Sequence, residues 1–164
     1  MKIALTCPAS LPATQFGGIL FLSIHIAKYL SNIGHEITIY TTNLDFANNA
    51  STFNKKLPTQ EKIENYLIKR TNVWFSTFLF FVNPGMYKQM MNDDFDIIHA
   101  IGVRSFQAFI ATLVSKRKKI PLIISDQGGL TTHPDLKKSS IVKRILIELQ
   151  KPIIKFVINN SKKI

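Results

Sequence analysis

Lys2-Ile3-Ala4-Leu5-Thr6-Cys7, then Gly17-Gly18 ahead of the apolar run Ile19 to Leu30, then Glu36-Ile37-Thr38-Ile39-Tyr40: the reading of these pieces decides the fold. The first is a mostly apolar run of strand length, ended by Pro8. Leu20, Ile24 and Ala27, with Ile26 and Leu30 beside them, recur at spacings of three and four, as on a helix that packs one face on a sheet. Asn32 and Gly34 stop that helix, and Glu36 to Tyr40 reads as a second strand. The stretch therefore predicts a β-loop-α-β unit with a glycine pair at the turn into its helix.

The glycine pair has two physical readings. The first N–H groups of a helix lack internal partners and carry partial positive charge, so Gly17 and Gly18 would let a phosphate approach the main chain. A nucleotide diphosphate is the natural anion. Glycine is also what a tight strand-to-helix turn needs with no ligand at all. Neither G-x-G-x-x-G nor G-x-x-x-x-G-K-[ST] occurs.

At 164 residues and 46% hydrophobic content, the chain is expected to be one domain with a substantial core. Cys7 has no mate, which removes an intrachain disulfide framework and fits a reducing compartment. No run reaches the length of a membrane span, and the N-terminus lacks the order of a signal peptide, so a cytoplasmic location is expected. The formal charge of +11 concentrates late, in Lys116-Arg117-Lys118-Lys119, Lys137-Lys138, Lys143-Arg144, Lys151, Lys155 and Lys162-Lys163. Such a surface suits an anionic membrane face or a phosphorylated substrate, or it is simply solvated. Against nucleic acid, there is no zinc-finger spacing, no RNA-binding aromatic motif and no basic dimerisation helix. His25, His35, His99 and His133 show no ligand spacing, so no metal is expected.

Further along, Thr41 to Lys56 is polar and reads as a mobile loop, and Ile63 to Arg70 as a third strand. Val73 to Val82 is dense in aromatic side chains before Asn83-Pro84-Gly85 breaks it. It reads either as a helix under a sheet edge or as a segment lying in a membrane interface, with Trp74 and Phe78 as the contact residues. Ile97-Ile98-His99-Ala100 is a buried-type strand ending at Gly102. If the strands are parallel, His99, Gly102 and Arg104 fall at the sheet edge that also carries Gly17-Gly18. His99 is either a core residue or a site residue, and Arg104 either a solvated helix-start residue or an anion ligand. Ser105 to Ser115 is predicted helical with basic residues at its negative end, Pro121 to Asp126 is a strand, and Gln127-Gly128-Gly129 follows at the same edge. Ser139 to Asn160 reads as a long helix that Pro152 should kink.

The order Lys2-Ile3-Ala4, Gly17-Gly18, Gly34-His35-Glu36-Ile37-Thr38, Phe95 to Gly102, Ile120 to Ser125 and Gly128-Gly129-Leu130 resembles the N-terminal domain of family-4 retaining glycosyltransferases of the GT-B fold, over nearly the whole chain. The resemblance implies an α/β fold, an open, mostly parallel Rossmann-like sheet with helices on both faces, forming one half of a GT-B enzyme. It implies a transferase acting on a nucleotide sugar as co-substrate, without a cofactor, and on a glycan or lipid-linked acceptor. Gly17 and Gly18 would approach the donor diphosphate. His99, Gly102, Arg104, Gln127, Gly128 and Gly129 would border the sugar and acceptor, with Trp74 and Phe78 on an acceptor or membrane surface at the inner membrane face. Many relatives carry a His where Gln127 stands; Gln hydrogen-bonds a hydroxyl but is no acid or base, and no catalytic residue is assigned. The Glu-x7-Glu pattern of the family's second domain is absent. The expectation is an acceptor-side domain spanning 1–164, inactive without a C-terminal donor-binding domain or partner chain. The alternative is a non-catalytic module that binds an anionic membrane or a lipid-linked phosphate.

Overall fold

The computed structural model describes residues 1–45, 52–77, 80–127 and 141–162, with 141–147 as backbone only. Six strands form one sheet: β1 (Lys2–Thr6), β2 (Glu36–Thr42), β3 (Gln60–Ile63), β4 (Tyr66–Thr71), β7 (Ile97–Ile101) and β8 (Leu122–Ser125), in the order β3-β4-β2-β1-β7-β8. Every pairing is parallel except β3 with β4 at the edge. A two-stranded hairpin, β5 (Phe75–Thr77) and β6 (Phe80–Val82), stands apart from it. The described residues also include a short 3-10 helix (Thr14–Phe16) and the α-helices α1 (Gly18–Asn32), α2 (Gly85–Met91), α3 (Phe106–Lys118) and α4 (Ile141–Asn159).

The chain steps from β1 through α1 to β2 in one direction, and from β7 through α3 to β8 in the other. Right-handed crossovers that reverse direction put their helices on opposite faces of the sheet. The apolar side chains obey this. Leu20, Ile24 and Ala27 of α1 join Leu5, Ile37, Ile39, Ile68 and Ile101 in one cluster. On the other face, Ala4, Tyr40, Ile98, Ala100, Leu122 and Ile124 pack with Met86 and Met90 of α2, Ile110, Ala111 and Val114 of α3, and Ile154 and Val157 of α4. Residues of β1, β2 and β7 thus feed both cores, which is why these strands read as nearly continuous apolar runs. At the amino end of the sheet, Lys2 donates its N–H to the Asp96 carboxylate at 2.8 Å, and Asp96 returns its N–H to the Lys2 carbonyl at 2.8 Å. That exchange sets the β1/β7 register.

Two expectations need correction. Ile63 to Arg70 is not one strand. Glu64 adopts φ +51 and turns the chain back, so Gln60–Ile63 pairs antiparallel with Tyr66–Thr71. The aromatic stretch is not a helix: it is the β5–β6 hairpin, paired Phe75 to Val82 and Thr77 to Phe80. Its β-rich aromatic composition favours strand, and Phe81 is buried against Phe16 and Phe53 with ring centroids 6.0 and 5.4 Å apart. Phe78 lies outside the described residues, as do Gly128 and Gly129. The polar loop after β2 is only partly loop, since Thr41 and Thr42 belong to β2 and Leu44 bridges Phe53. Pro152 lies inside α4. No described helix is long and apolar enough to cross a membrane.

Candidate functional site

The strand order reverses between β1 and β7, and the carboxyl edge of the sheet at such a reversal is where open α/β sheets form a ligand crevice. One wall is the start of α1. Gly17 sits at its N-cap with φ +91 and ψ −147, and no side chain caps the helix. The space where a Cβ would stand on Gly17 or Gly18 is empty to 4 Å. The opposite wall is the turn after β7, where Gly102 has φ +89 and would bring a Cβ within 3.7 Å of Ile19 Cδ1. The two glycine turns therefore face one another. Gly102 donates its N–H to the Ser125 carbonyl at 2.9 Å, which draws the end of β8 to the same edge.

Arg104 follows two residues later. Its guanidinium donates to Gln150 Oε1 on α4 at 3.0 and 3.4 Å. Burial lowers its pKa, and the nearby Asp126 carboxylate works against that shift. Arg104 is half-buried and stays cationic at any physiological pH. Ser105 caps α3, its hydroxyl accepting the Ala108 N–H at 3.0 Å. Gln127 is exposed just beyond β8.

His99 is set back from this edge. It lies within β7, in register with Leu5 on one side and Ile123 on the other. Its Nε2 is 2.8 Å from Ser125 Oγ, as acceptor of the hydroxyl proton or as donor to the oxygen according to tautomer. Burial pushes its pKa below the ordinary value, so the ring is neutral at pH 7. The geometry makes His99 a lateral brace between β7 and β8. Ser125, its partner, and Gln150, the partner of Arg104, were not singled out in the sequence. The signal for Ser125 was its place two residues after Ile123, on the same strand face as His99; nothing in the sequence marks Gln150.

The β5–β6 hairpin forms the rim. Phe80 meets Phe106 at the start of α3 with centroids 6.0 Å apart. The Gln107 amide nitrogen holds the hairpin from behind by donating to the Phe81 carbonyl at 2.9 Å and to Asn83 Oδ1 at 2.7 Å. Trp74 and Phe75 point away from that anchorage and are 78% and 60% exposed. The loop from β1 to α1 is pinned from the other side: Arg70, almost fully buried, donates to the Leu11 carbonyl at 2.9 Å, the Pro58 carbonyl at 3.1 Å and Glu61 Oε2 at 2.6 Å. Cys7, at the base of that loop, is buried and donates to the Ala9 carbonyl, and burial lifts its thiol to about 11, so it is no nucleophile.

Among the described residues no three potential metal-ligating side chains converge. No protein-family model matches the chain, and no curated protein matches it in sequence.

Proposed function

We propose that the chain is the acceptor-side half of a glycosyltransferase, with the β1/β7 crevice receiving the diphosphate of a nucleotide sugar and the hairpin rim facing a glycan or lipid-linked acceptor. The observation that carries the reading is the pair of opposed glycine turns, with an uncapped helix start at the reversal point of a parallel sheet. Helix N–H groups left without partners favour an anion, and glycine lets its oxygens reach the main chain. Arg104 stands at the same edge and would offset charge on the leaving diphosphate. No catalytic role is assigned to His99, which is set back in β7 and engaged with Ser125, or to the Asp126 carboxylate, which stands near Arg104 at the same edge. The role assigned to this chain is therefore binding and orientation, with the remaining donor contacts supplied by a second domain or a partner chain.

The test is calorimetric titration with uridine, guanosine and adenosine diphosphates and their sugar conjugates. Gly18→Val is the diagnostic variant, because a Cβ at Gly18 meets nothing within 4 Å and the substitution adds bulk at the first residue of the helix. The proposal expects saturable diphosphate binding by the natural chain, weakened at least about tenfold in Gly18→Val. Binding that the substitution leaves unchanged would place the anion elsewhere, and no binding of any nucleotide would remove the donor-site assignment.

A second reading, a non-catalytic module on an anionic membrane, draws on the exposed Trp74 and Phe75 and on the charge of +11. It expects salt-sensitive sedimentation with anionic vesicles that Trp74→Ala abolishes.

A further inference from the structure

On the flank of the sheet, two strands from the β1/β7 reversal, a groove of about 400 Å³ opens between the end of β4 and α2. Asn72 and Trp74 come from the segment after β4; Lys88, Gln89 and Asn92 come from α2 and its C-cap. Thr71 forms its floor, with its hydroxyl oxygen accepting from Asn83 Nδ2 at 2.8 Å.

Three features set this groove apart from a solvated hollow. The indole of Trp74 lines its rim and is largely exposed. The amide oxygen of Gln89 is buried in its wall and no donor reaches it. No carboxylate lines it, and Lys88 is exposed with no acidic partner among the described residues.

We propose that the groove binds an acidic saccharide. A pyranose ring presents a C–H face and a belt of hydroxyl groups. An indole is a flat, rigid, amphipathic surface for the first. The amides of Asn72 and Asn92 each pair a donor with an acceptor in one plane, which suits adjacent hydroxyls that both give and take hydrogen bonds. Lys88 supplies a compact positive charge for a carboxylate, sulfate or phosphate substituent. The size falls within the range of small-molecule sites. The site requires neither a nucleotide nor a second domain, so it stands or falls separately from the transferase reading.

Trp74 is the only tryptophan, so the intrinsic emission of the full chain reports on this groove alone. The experiment titrates the chain at low salt with a uronic-acid trisaccharide and with a neutral trisaccharide of the same linkage. A saturable emission change is expected, with the uronate binding more tightly. Lys88→Gln should weaken the uronate at least about fivefold and leave the neutral sugar unchanged, and Asn72→Ala should weaken both about tenfold. Trp74→Ala, followed by calorimetry, should lose binding while its circular dichroism spectrum stays that of the natural chain. No saturable response to either sugar overturns the proposal, as does binding that Asn72→Ala and Trp74→Ala leave intact. Equal affinity for the two sugars overturns the preference for an acid. An emission shift on phosphatidylcholine–phosphatidylglycerol vesicles without one on sugars assigns Trp74 to a membrane surface instead.

Discussion

At the scale of single residues, the two glycines of the α1 turn do different work although they are neighbours. Gly17 holds φ +91 with ψ −147, a region that side-chain-bearing residues scarcely enter. Gly18 has ordinary backbone angles and open space around it. Gly17→Ala should therefore cost about 1–3 kcal/mol in urea unfolding. Gly18→Ala should stay within about 0.5 kcal/mol of the natural chain, since alanine is the better helix former. Equal costs would mean that the turn, and not open access to the helix start, selected both. His99 gives a second residue-scale prediction. Its folded-state pKa lies below the unfolded value because burial disfavours the imidazolium. Below about pH 6.5 the unfolded chain takes up a proton that the native chain resists, so this contribution is complete above that pH and is lost as pH falls toward the folded pKa. The melting temperature of the natural chain should drop between pH 7.5 and 5.0 by more than that of His99→Gln. If the two profiles run parallel, His99 is not the titrating group.

At the scale of elements, buried polar side chains place the loops that border the crevice. Arg70 reaches across β4 to the carbonyls of Leu11 and Pro58 and to Glu61, joining the β1–α1 loop to the edge hairpin. Arg70→Met keeps much of the apolar stem but leaves those acceptors unpaired. A loss of about 2–4 kcal/mol is expected, with faster amide exchange in residues 8–16. A loss under about 1 kcal/mol would mean that water replaces the guanidinium without cost. How far the sequence disclosed these elements follows from the same physics. β1, α1, β2, β7, α3 and β8 were legible because each buries a continuous apolar run or a regular stripe. β3, the β5–β6 hairpin and α2 were not. Gln60–Ile63 alternates polar and apolar residues only weakly, and it is held by pairing with Tyr66–Thr71. Aromatic density in 73–82 raises strand propensity without excluding an apolar helix or a lipid surface, and the contacts of Phe81 with Phe16 and Phe53 seat the segment on the fold. Of the crevice, the glycine turns and Arg104 were readable because glycine and arginine carry local chemistry. The Ser125 and Gln150 partners were not, because they come from register and helix docking.

At the scale of the whole molecule, charge is the dominant imbalance. Twenty-one lysine and arginine side chains face ten acidic ones, so even complete pairing leaves 11 cations without an acid. The two cores on either side of the sheet must hold the chain compact against that repulsion. Raising sodium chloride from about 20 to 300 mM shortens the screening length from roughly 20 Å to below 8 Å, and the melting temperature should rise accordingly. A fall would mean that the described ion pairs, such as Lys69 with Asp93 and Arg70 with Glu61, outweigh the repulsion. The same titration separates general screening from a built anion site. At matched ionic strength, pyrophosphate should raise the melting temperature beyond chloride if it occupies the start of α1, because a ligand that binds only the native state stabilises it by mass action. That excess should vanish in Gly18→Val, whose side chain adds bulk at the first residue of the helix, while the chloride dependence stays unchanged. An excess that survives in Gly18→Val would assign the pyrophosphate to the basic surface around Lys116 to Lys119 and would leave the crevice without its anion.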